Sequence, residues 1–437
     1  MRFKGTALLA AALVGIISYY FLIDLPSEKR KNKEKDRAEK VILFDPENVK
    51  GISFTKGEVT ITLKGLGIDE WQMTAPVNAK GDALAVSEFL SFLSNLNFTR
   101  VVEESSKDLS PFGLDTPGLR IILSMNNGET KGVRVGDDHP MGNKVYLALL
   151  KGSQVLAAGV TKNRLDRSAH DLRDKTILDF KTPLIKKIEF IRNGKTLNLI
   201  KDKESWQVLE NRISAKGNET EITNLLNKIQ AAQIEQFVEE NSKQLTFYGL
   251  NNPKLTVKLT TLKSKEPLTL LVGNKNEHGF YAKTLLKKNV FTIGQSLFDS
   301  LNNREFVHFL NKSLVDFNDN DVIKMTLRMD NVTVDLIRNK KDLQEWTMQQ
   351  PIEMKANTST INSVLFDLKN TRIVEFVSTQ AKNSEVFNFE QSEKEINLTY
   401  KSGETWALKL NKKTSNPDHY LAQRTDEEAF FTLQKSS

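Results

Sequence analysis

The sequence predicts an α+β protein with three tandem repeats, each a mostly antiparallel sheet with one major packed helix. A short aromatic-Gly-Leu motif is the first observation behind this prediction. It occurs at residues 112–117, recurs at 248–253 and has a degenerate third copy at 387–392. A period of about 137 residues is far too long for a solenoid unit, so the copies are expected to be separate domains. The third copy lacks the glycine, and we expect its repeat to be degenerate and shortened.

Further features fall in the same register. Each copy has a turn pair typical of hairpins: Lys56-Gly57, Asn193-Gly194 and Asp330-Asn331. Each copy also has a tryptophan near the start of a strand: Trp71, Trp206 and Trp346. One amphipathic helix per copy places apolar residues at i, i+3, i+4 and i+7: Val86, Phe89, Leu90 and Leu93; Ile222, Leu225, Leu226 and Ile229; Ile361, Val364, Leu365 and Leu368. A tyrosine strand follows the motif at Tyr146, Tyr281 and Tyr420.

The motif residues are expected to shape a turn between the helix and the second set of strands. A glycine takes positive φ without a Cβ clash, and a proline fixes φ just before a strand. The aromatic and leucine side chains can anchor the turn to the core. This structural set is Phe112, Gly113, Leu114, Asp115 and Pro117 in the first copy and Tyr248, Gly249, Leu250 and Pro253 in the second. A ligand-binding role for Asp115 is the alternative.

Residues 5–23 carry no charge and are numerous enough to span a bilayer as a helix. A cleaved signal peptide is the alternative. The predicted organisation is a transmembrane anchor at 1–23, a charged linker at 24–43, and repeats at 44–180, 181–317 and 318–437. Under the positive-inside rule, the basic residues from Lys29 to Lys40 favour a cytoplasmic location for the bulk of the chain. The short basic head, Arg2 and Lys4, instead resembles an export signal anchor, so the charges leave the orientation open.

Composition excludes several classes of site. Cysteine is absent, which excludes disulfides, thiol catalysis and cysteine metal sites. The net charge of +7 is spread along the chain, so nucleic-acid binding is not expected. No phosphate-loop, dinucleotide or hydrolase motif is present, and no cofactor is expected.

Two polar clusters are candidates for metal or acid–base chemistry. Asp137, Asp138 and His139 follow one another after a strand, and a solvated loop is the alternative. Asp166, His170 and Asp174 have i, i+4, i+8 spacing on a helix predicted over 161–174. A surface salt-bridge lattice with the interleaved arginines is the alternative there.

The order of these features resembles a known family. It runs from a Trp strand and an apolar helix through the Phe-Gly-Leu-Asp motif, a Val-Gly pair and a Tyr strand. It ends in Asp171-Leu172-Arg173-Asp174-Lys175 and Leu178-Asp179-Phe180. This resembles the bacterial domain of unknown function 4340. The resemblance implies one N-terminal membrane span, domains outside the cytoplasm and a gene beside a gliding-motility-type ABC transporter. The family has no established enzyme activity.

The expected function is therefore that of a non-enzymatic, membrane-anchored binding or scaffolding protein of the bacterial inner membrane. Its expected partners are the lipid bilayer, through residues 5–23, and the membrane subunits of an ABC transporter. One alternative is an envelope glycan or lipid binder that uses the repeated Trp and Tyr strands. Another is a hydrolase, which requires Asp137 with His139, or Asp166 with His170, to converge in one pocket.

Overall fold

The computed structural model describes residues 37–115, 118–140, 142–203, 205–210, 213–339, 342–378, 392–411, 416–426 and 429–435, together with Leu13, Tyr20, Lys35 and Phe389. Apart from Leu13 and Tyr20, the predicted membrane span lies outside these residues, and so does most of the predicted linker. Within the described part of the chain, no helix has the length and apolar character needed to cross a membrane. The chain divides into two compact units, Met1–Lys175 and Thr176–Ser437.

Unit 1 contains one nine-stranded sheet. Its strands are β1 (Val49–Lys56), β2 (Val59–Gly67), β3 (Glu70–Ala75), β4 (Ala79–Lys80), β5 (Phe98–Glu103), β6 (Leu119–Met125), β7 (Thr130–Asp138), β8 (Val145–Leu149) and β9 (Val155–Ala158). Their spatial order is β4-β3-β2-β1-β6-β7-β8-β9-β5, and the neighbours pair antiparallel.

Unit 2 contains two further sheets of nine strands. The first holds β10 (Ile185–Arg192), β11 (Lys195–Asp202), β12 (Ser205–Glu210), β13 (Ile213–Lys216), β14 (Gln236–Glu239), β15 (Leu255–Thr261), β16 (Leu268–Asn276), β17 (Gly279–Thr284) and β18 (Val290–Ile293). The second holds β19 (Val322–Met329), β20 (Val332–Arg338), β21 (Trp346–Gln350), β22 (Met354–Lys355), β23 (Glu375–Ser378), β24 (Lys394–Tyr400), β25 (Thr405–Asn411), β26 (His419–Arg424) and β27 (Phe430–Gln434). Both repeat the strand order of the first sheet, so the predicted architecture of three repeated antiparallel sheets is confirmed.

One long helix lies on each sheet: α1 (Ala83–Ser94), α3 (Glu219–Ala231) and α5 (Thr358–Asn370). Two shorter helices are α2 (Ala169–Leu172) and α4 (Gln295–Asn302). Each long helix begins after a residue whose side chain accepts a hydrogen bond from a first-turn N–H: Asp82, Asn218 and Asn357. The predicted apolar positions of the three helices are buried, except Val364, which is half-buried.

The apolar face of each long helix packs on the alternating buried residues of its sheet. In unit 1, Phe54 and Phe89 meet in this core with ring centroids 5.0 Å apart. In unit 2 a single continuous core runs through both sheets. Val41 and Ile42, which the sequence interpretation placed in the linker, are buried in the core of unit 1.

The sheet of the third repeat has all nine strands. Two predictions need correction. Residues 161–174 do not form one helix, because a 3-10 turn at Lys162–Arg164 is followed only by the four-residue helix α2. The first hairpin turn is Gly57-Glu58 rather than Lys56-Gly57, because Lys56 pairs with Val59. Asn193-Gly194 and Asp330-Asn331 form their turns as predicted.

Candidate functional site

The repeated motif forms the same tight turn in the first two repeats. In the first, a 3-10 turn over Ser110–Phe112 ends at Gly113, whose φ is +65° and whose N–H donates to Ser110 O at 3.0 Å. In the second, Gly249 has a φ of +69° and donates to Thr246 O at the same distance. The positive φ expected at both glycines is therefore present, in a conformation that residues with a Cβ adopt at a cost.

Close approach of neighbouring atoms adds a second reason for glycine. A Cβ on Gly113 would lie 2.5 Å from Asp137 Oδ2, and one on Gly249 would lie 2.7 Å from the Asn274 side chain. The glycines of the Val-Gly pairs face the same turns, because a Cβ on Gly136 would lie 2.1 Å from Phe112 O. The turn and the strand beside it are thus in backbone contact.

Apolar side chains anchor the turn on the side of the sheet away from α1. Leu114 is buried with Ala148 and Val155, and the Phe112 ring lies edge-on to Tyr146 with centroids 5.1 Å apart. The second repeat matches this arrangement, since Leu250 is buried and Tyr248 lies edge-on to Tyr281 at 4.8 Å.

The third repeat keeps the anchor although its motif has changed. Phe389 takes the place of the leucine and stacks on Phe430 with centroids 5.5 Å apart. The strand residue that packs with it is Leu421, not Tyr420. Register explains the difference: Tyr146 pairs with Ala157, Tyr281 with Thr292, and Leu421 with Thr432. Tyr420 is therefore one residue away from the position equivalent to Tyr146 and Tyr281. A shift of one residue places a side chain on the opposite face of a strand.

The remaining motif positions are less constrained. Asp115 is exposed, and its carbonyl oxygen accepts a 3.5 Å hydrogen bond from Arg120. Asn251, at the matching position, donates to Thr246 Oγ1 at 2.6 Å. Pro253 is half-buried just before β15. Pro117 lies outside the described residues.

The three tryptophans occupy equivalent strand positions, in β3, β12 and β21. Trp206 and Trp346 are only 3% and 1% exposed, and Trp71 is half-buried. Two of the three rings therefore offer no face to a ligand. This removes the repeated tryptophans as the basis for a glycan or lipid site.

The Asp137-Asp138-His139 cluster is tied into its own repeat. Lys162 links to both acids: its backbone N–H donates to Asp138 at 2.8 Å, and its Nζ lies 3.3 Å from Asp137. The His139 ring packs beside Tyr146 at 5.2 Å, and Arg100 Nη2 lies 3.3 Å from its Nε2. These contacts hold the end of β7 and the first residue after it in place.

Asp166, His170 and Asp174 do not share a helix face. Asp166 pairs with Lys56, and Asp174 lies 3.5 Å from Lys80, while His170 belongs to α2. Over the described ranges, no three histidine or acidic side chains are grouped as a metal would require. The hydrolase alternative thus finds no support in these two clusters.

Two grooves in unit 2 lie beside residues 310–316, the segment that joins its two repeats. The first, the Glu221 groove, has a volume of about 440 Å³ and holds the Arg304–Glu221 ion pair at 3.0 Å. It also borders Val374 and Phe376, beside the outer strand β23. The second, the Tyr400 groove, has a volume of about 450 Å³. Each combines residues distant in sequence, so spacing gave no signal for either.

The Tyr400 groove is built on a buried arginine. Arg424 Nη1 donates to Ser313 O at 2.9 Å and to Leu314 O at 2.7 Å. Trp406 Nε1 donates to Asp426 at 3.1 Å. Burial, followed by the charges of Asp426 and Glu404, raises the pKa of Tyr400 to about 12. The phenol is therefore neutral at physiological pH and can donate a hydrogen bond to a ligand.

No curated protein matches the chain. Among solved structures it is similar to DNA polymerase sliding clamps. The one from Pseudomonas aeruginosa is 7% identical, with 91% of this chain and 94% of that chain covered and a TM-score of 0.14. A DNA polymerase III beta chain from Streptococcus pneumoniae is 8% identical, with 90% of this chain and 94% of that chain covered and a TM-score of 0.15. Scores of this size carry no argument about fold or function.

A protein-family model matches the chain over two overlapping segments. The model described as "Domain of unknown function (DUF4340)" matches residues 71–243 and 206–391. The two matches begin at Trp71 and Trp206, which hold equivalent positions in β3 and β12, so the family unit recurs with the structural repeat. The chain belongs to the family of the domain of unknown function 4340.

Proposed function

We propose that the protein is a non-enzymatic, membrane-anchored binding and scaffolding protein, an accessory component of an ABC-transport assembly in the bacterial cell envelope. One observation carries this proposal. Each repeat has the same nine-stranded sheet with a packed turn, and the side chains that recur from repeat to repeat take part in that packing. A chain that repeats a framework is suited to presenting surfaces to partners.

The surface we assign to a partner is the region of the two grooves beside residues 310–316. It combines charges of both signs, including Glu221, Arg304 and Lys312, with half-buried apolar atoms. The Tyr400 groove adds Asp316 and Glu404. Such mixed surfaces are typical of protein interfaces that form between folded partners.

We place the protein at the inner membrane, with residues 5–23 as a single span and the domains outside the cytoplasm. The charge-free run and the family resemblance support this location. A reporter fused after Ser437 tests it. Alkaline phosphatase fused there should be active and a fluorescent protein dark, and the reverse pattern would place the repeats in the cytoplasm.

The scaffolding role is tested by recovering full-length protein from native membranes in mild detergent and identifying co-purified proteins by mass spectrometry. Three forms are compared: the natural chain, Asp316→Arg in the Tyr400 groove, and Glu353→Arg as a matched control. Both acidic residues are exposed and lie in the same unit, and both changes reverse one charge. Glu353 does not line either groove.

We expect transporter permease or ATPase subunits with the natural chain and with Glu353→Arg, and their loss with Asp316→Arg. Equal recovery with both variants would remove the grooves from the proposal. Absence of any membrane-protein partner in repeated preparations would overturn the scaffolding role.

A second candidate is a binder of envelope glycans at the Tyr400 groove. The observation in its favour is the neutral phenol of Tyr400 among Glu404, Asp426 and Asn311, groups that suit sugar hydroxyls. Glycan analysis of the same preparations tests it. Sugar recovered with Glu353→Arg but not with Asp316→Arg, without a protein partner, would favour this reading.

A further inference from the structure

Two arginines face each other on neighbouring strands of the first sheet. Arg120 of β6 and Arg134 of β7 are direct cross-strand partners. Their strand neighbours Ile121 and Val133 are buried in the core under α1, so both arginines project from the opposite face. Like charges placed directly opposite each other destabilise a sheet. The pair therefore requires an explanation.

The equivalent row of cross-strand neighbours in the other two repeats does not place two like charges side by side. In repeat 2 the positions of Arg120 and Arg134 are held by Thr256 and Leu271, which are neutral. In repeat 3 the row alternates in charge, with Glu395 paired between Arg328 and Lys409. Arg328 Nη1 lies 3.6 Å from Glu395 Oε2. Only repeat 1, among these described rows, holds two adjacent cations.

Among the described residues, backbone carbonyl oxygens are the hydrogen-bond acceptors of both arginines. Arg120 Nη2 donates to Asp115 O, and Arg134 Nη2 donates to Leu149 O at 3.3 Å and to Gly152 O. In the residues that the structure describes, neither guanidinium pairs with a carboxylate. Burial lowers the pKa of Arg134, and the charge of Arg120 lowers it further.

Hydroxyl groups continue the row on its other side. Thr55 pairs with Arg120 across β1 and β6, and Thr60 pairs with Thr55 across β1 and β2. Their hydroxyls lie 3.3 Å apart. The four side chains thus span four adjacent strands, each about 4.8 Å from the next.

We infer that Arg120 and Arg134, with Thr55 beside Arg120, form a binding site for a phosphomonoester group. Two guanidinium groups carry two positive charges, and a phosphomonoester carries about −1.5 to −2 at pH 7, whereas a carboxylate carries one. Guanidinium forks match phosphate oxygens in bidentate geometry, and the Thr55 hydroxyl beside Arg120 can add a donor. The site goes beyond the proposed scaffolding role and lies in a different unit from the grooves.

The site is tested by isothermal titration of the full chain in mild detergent with inorganic phosphate, against acetate at equal ionic strength. We expect saturable phosphate binding that acetate does not reproduce. Arg120→Gln should weaken it about tenfold or more, because a charge-assisted contact is lost. Arg328→Gln is the matched control in the same row of repeat 3, and phosphate affinity should not change there.

A second variant keeps the test independent of folding defects. Arg120→Glu gives repeat 1 an acidic residue where repeat 3 has Glu395. It should raise the melting temperature without phosphate and abolish the stabilisation that phosphate gives to the natural chain. No phosphate binding by the natural chain, or equal affinity in Arg120→Gln, would overturn the inference.

Two compounds that carry the same phosphomonoester group distinguish a soluble ligand from a lipid ligand. Glycerol 3-phosphate presents it in solution, and short-chain phosphatidic acid presents it in the detergent micelle. Binding of both, lost together in Arg120→Gln, supports the site, and tighter binding of the lipid identifies a membrane source. Binding of either that survives Arg120→Gln counts against the site.

Discussion

The guanidinium group of Arg424 donates a 2.7 Å hydrogen bond to the carbonyl oxygen of Leu314, from the last repeat to the segment that joins it to the repeat before. The same Nη1 reaches Ser313 O at 2.9 Å, and the arginine side chain is only 5% exposed. A buried carbonyl that loses its donor retains the full cost of desolvation. Arg424 thus adds two buried hydrogen bonds to the backbone bonds of this joint, Leu314 N to Thr371 O at 3.2 Å and Ile373 N to Lys312 O at 2.8 Å.

Arg424→Met should destabilise unit 2 by about 2–3 kcal/mol, since it keeps the aliphatic stem but leaves two carbonyls without this donor. Urea unfolding measures the loss, and hydrogen exchange of residues 313–316 localises it. Arg372→Met is the control, because Arg372 is exposed and contacts only the Ser313 hydroxyl among the described hydrogen bonds. Its cost should stay within about 0.5 kcal/mol. Equal effects would show that the buried bonds are not decisive.

Gly113→Val should destabilise unit 1 by about 1–3 kcal/mol, through positive φ and through crowding of the Asp137 carboxylate. Gly57→Val separates these causes, because Gly57 has a φ of +59° but no atom within 4 Å of a Cβ. We expect the larger loss of stability in Gly113→Val. Adding Asp137→Ala to Gly113→Val should recover part of that loss. Thermal unfolding of the natural chain, the two single glycine variants and this double variant gives the comparison. An unchanged melting transition in Gly113→Val would contradict the role of the glycine.

The repeat and much of its interior could be predicted from sequence because they rest on local rules. A helix face repeats every 3.6 residues and a strand face every 2, so Phe89 and Trp206 could be placed in a core without coordinates. The positive φ of Gly113 followed from the lack of a Cβ. These inferences need only neighbours within one repeat.

The failures have different physical causes. Tyr420 was aligned by residue type, whereas strand pairing puts Leu421 on the motif side. The helix predicted over 161–174 is interrupted between Arg164 and Ala169, where the chain turns before α2. The grooves and the Arg120–Arg134 pair depend on which strands become neighbours. That information lies in the sheet order, which no spacing along the chain reveals.

Tyr400 should make stability fall at high pH. Its folded pKa is raised to about 12, first by burial and then by Asp426 and Glu404, above the usual value of 10.0. A raised folded pKa gives a contribution that is present below pH 10 and is lost as pH rises towards 12. Tyr400→Phe should therefore lose less stability than the natural chain between pH 9 and 11. Urea midpoints across that range test this, and parallel curves for the two proteins would contradict it.

Ser168→Ala should remove the capping box that begins α2. Ser168 accepts from Asp171 N at 3.2 Å, and its own N–H and hydroxyl donate to the Asp171 carboxylate at 2.8 and 2.7 Å. Burial raises the pKa of Asp171, but these hydrogen bonds and nearby positive charges outweigh it, and the pKa is lowered from 3.8. A lowered folded pKa gives a contribution that is present above the unfolded pKa and lost as pH falls through the folded one.

The variant should accordingly be less stable by about 1 kcal/mol at pH 7, a typical cost of losing an N-cap side chain. The difference should shrink as the carboxyl becomes protonated in the natural chain, so the two unfolding midpoints should approach each other below the usual pKa of Asp171. Ser359→Ala, in the exposed first turn of α5, controls for loss of a serine hydroxyl as such, because no side-chain hydrogen bond of Ser359 occurs among those described. A Ser168→Ala difference that stays constant from pH 7 to acid would show that the carboxylate does not contribute through its charge.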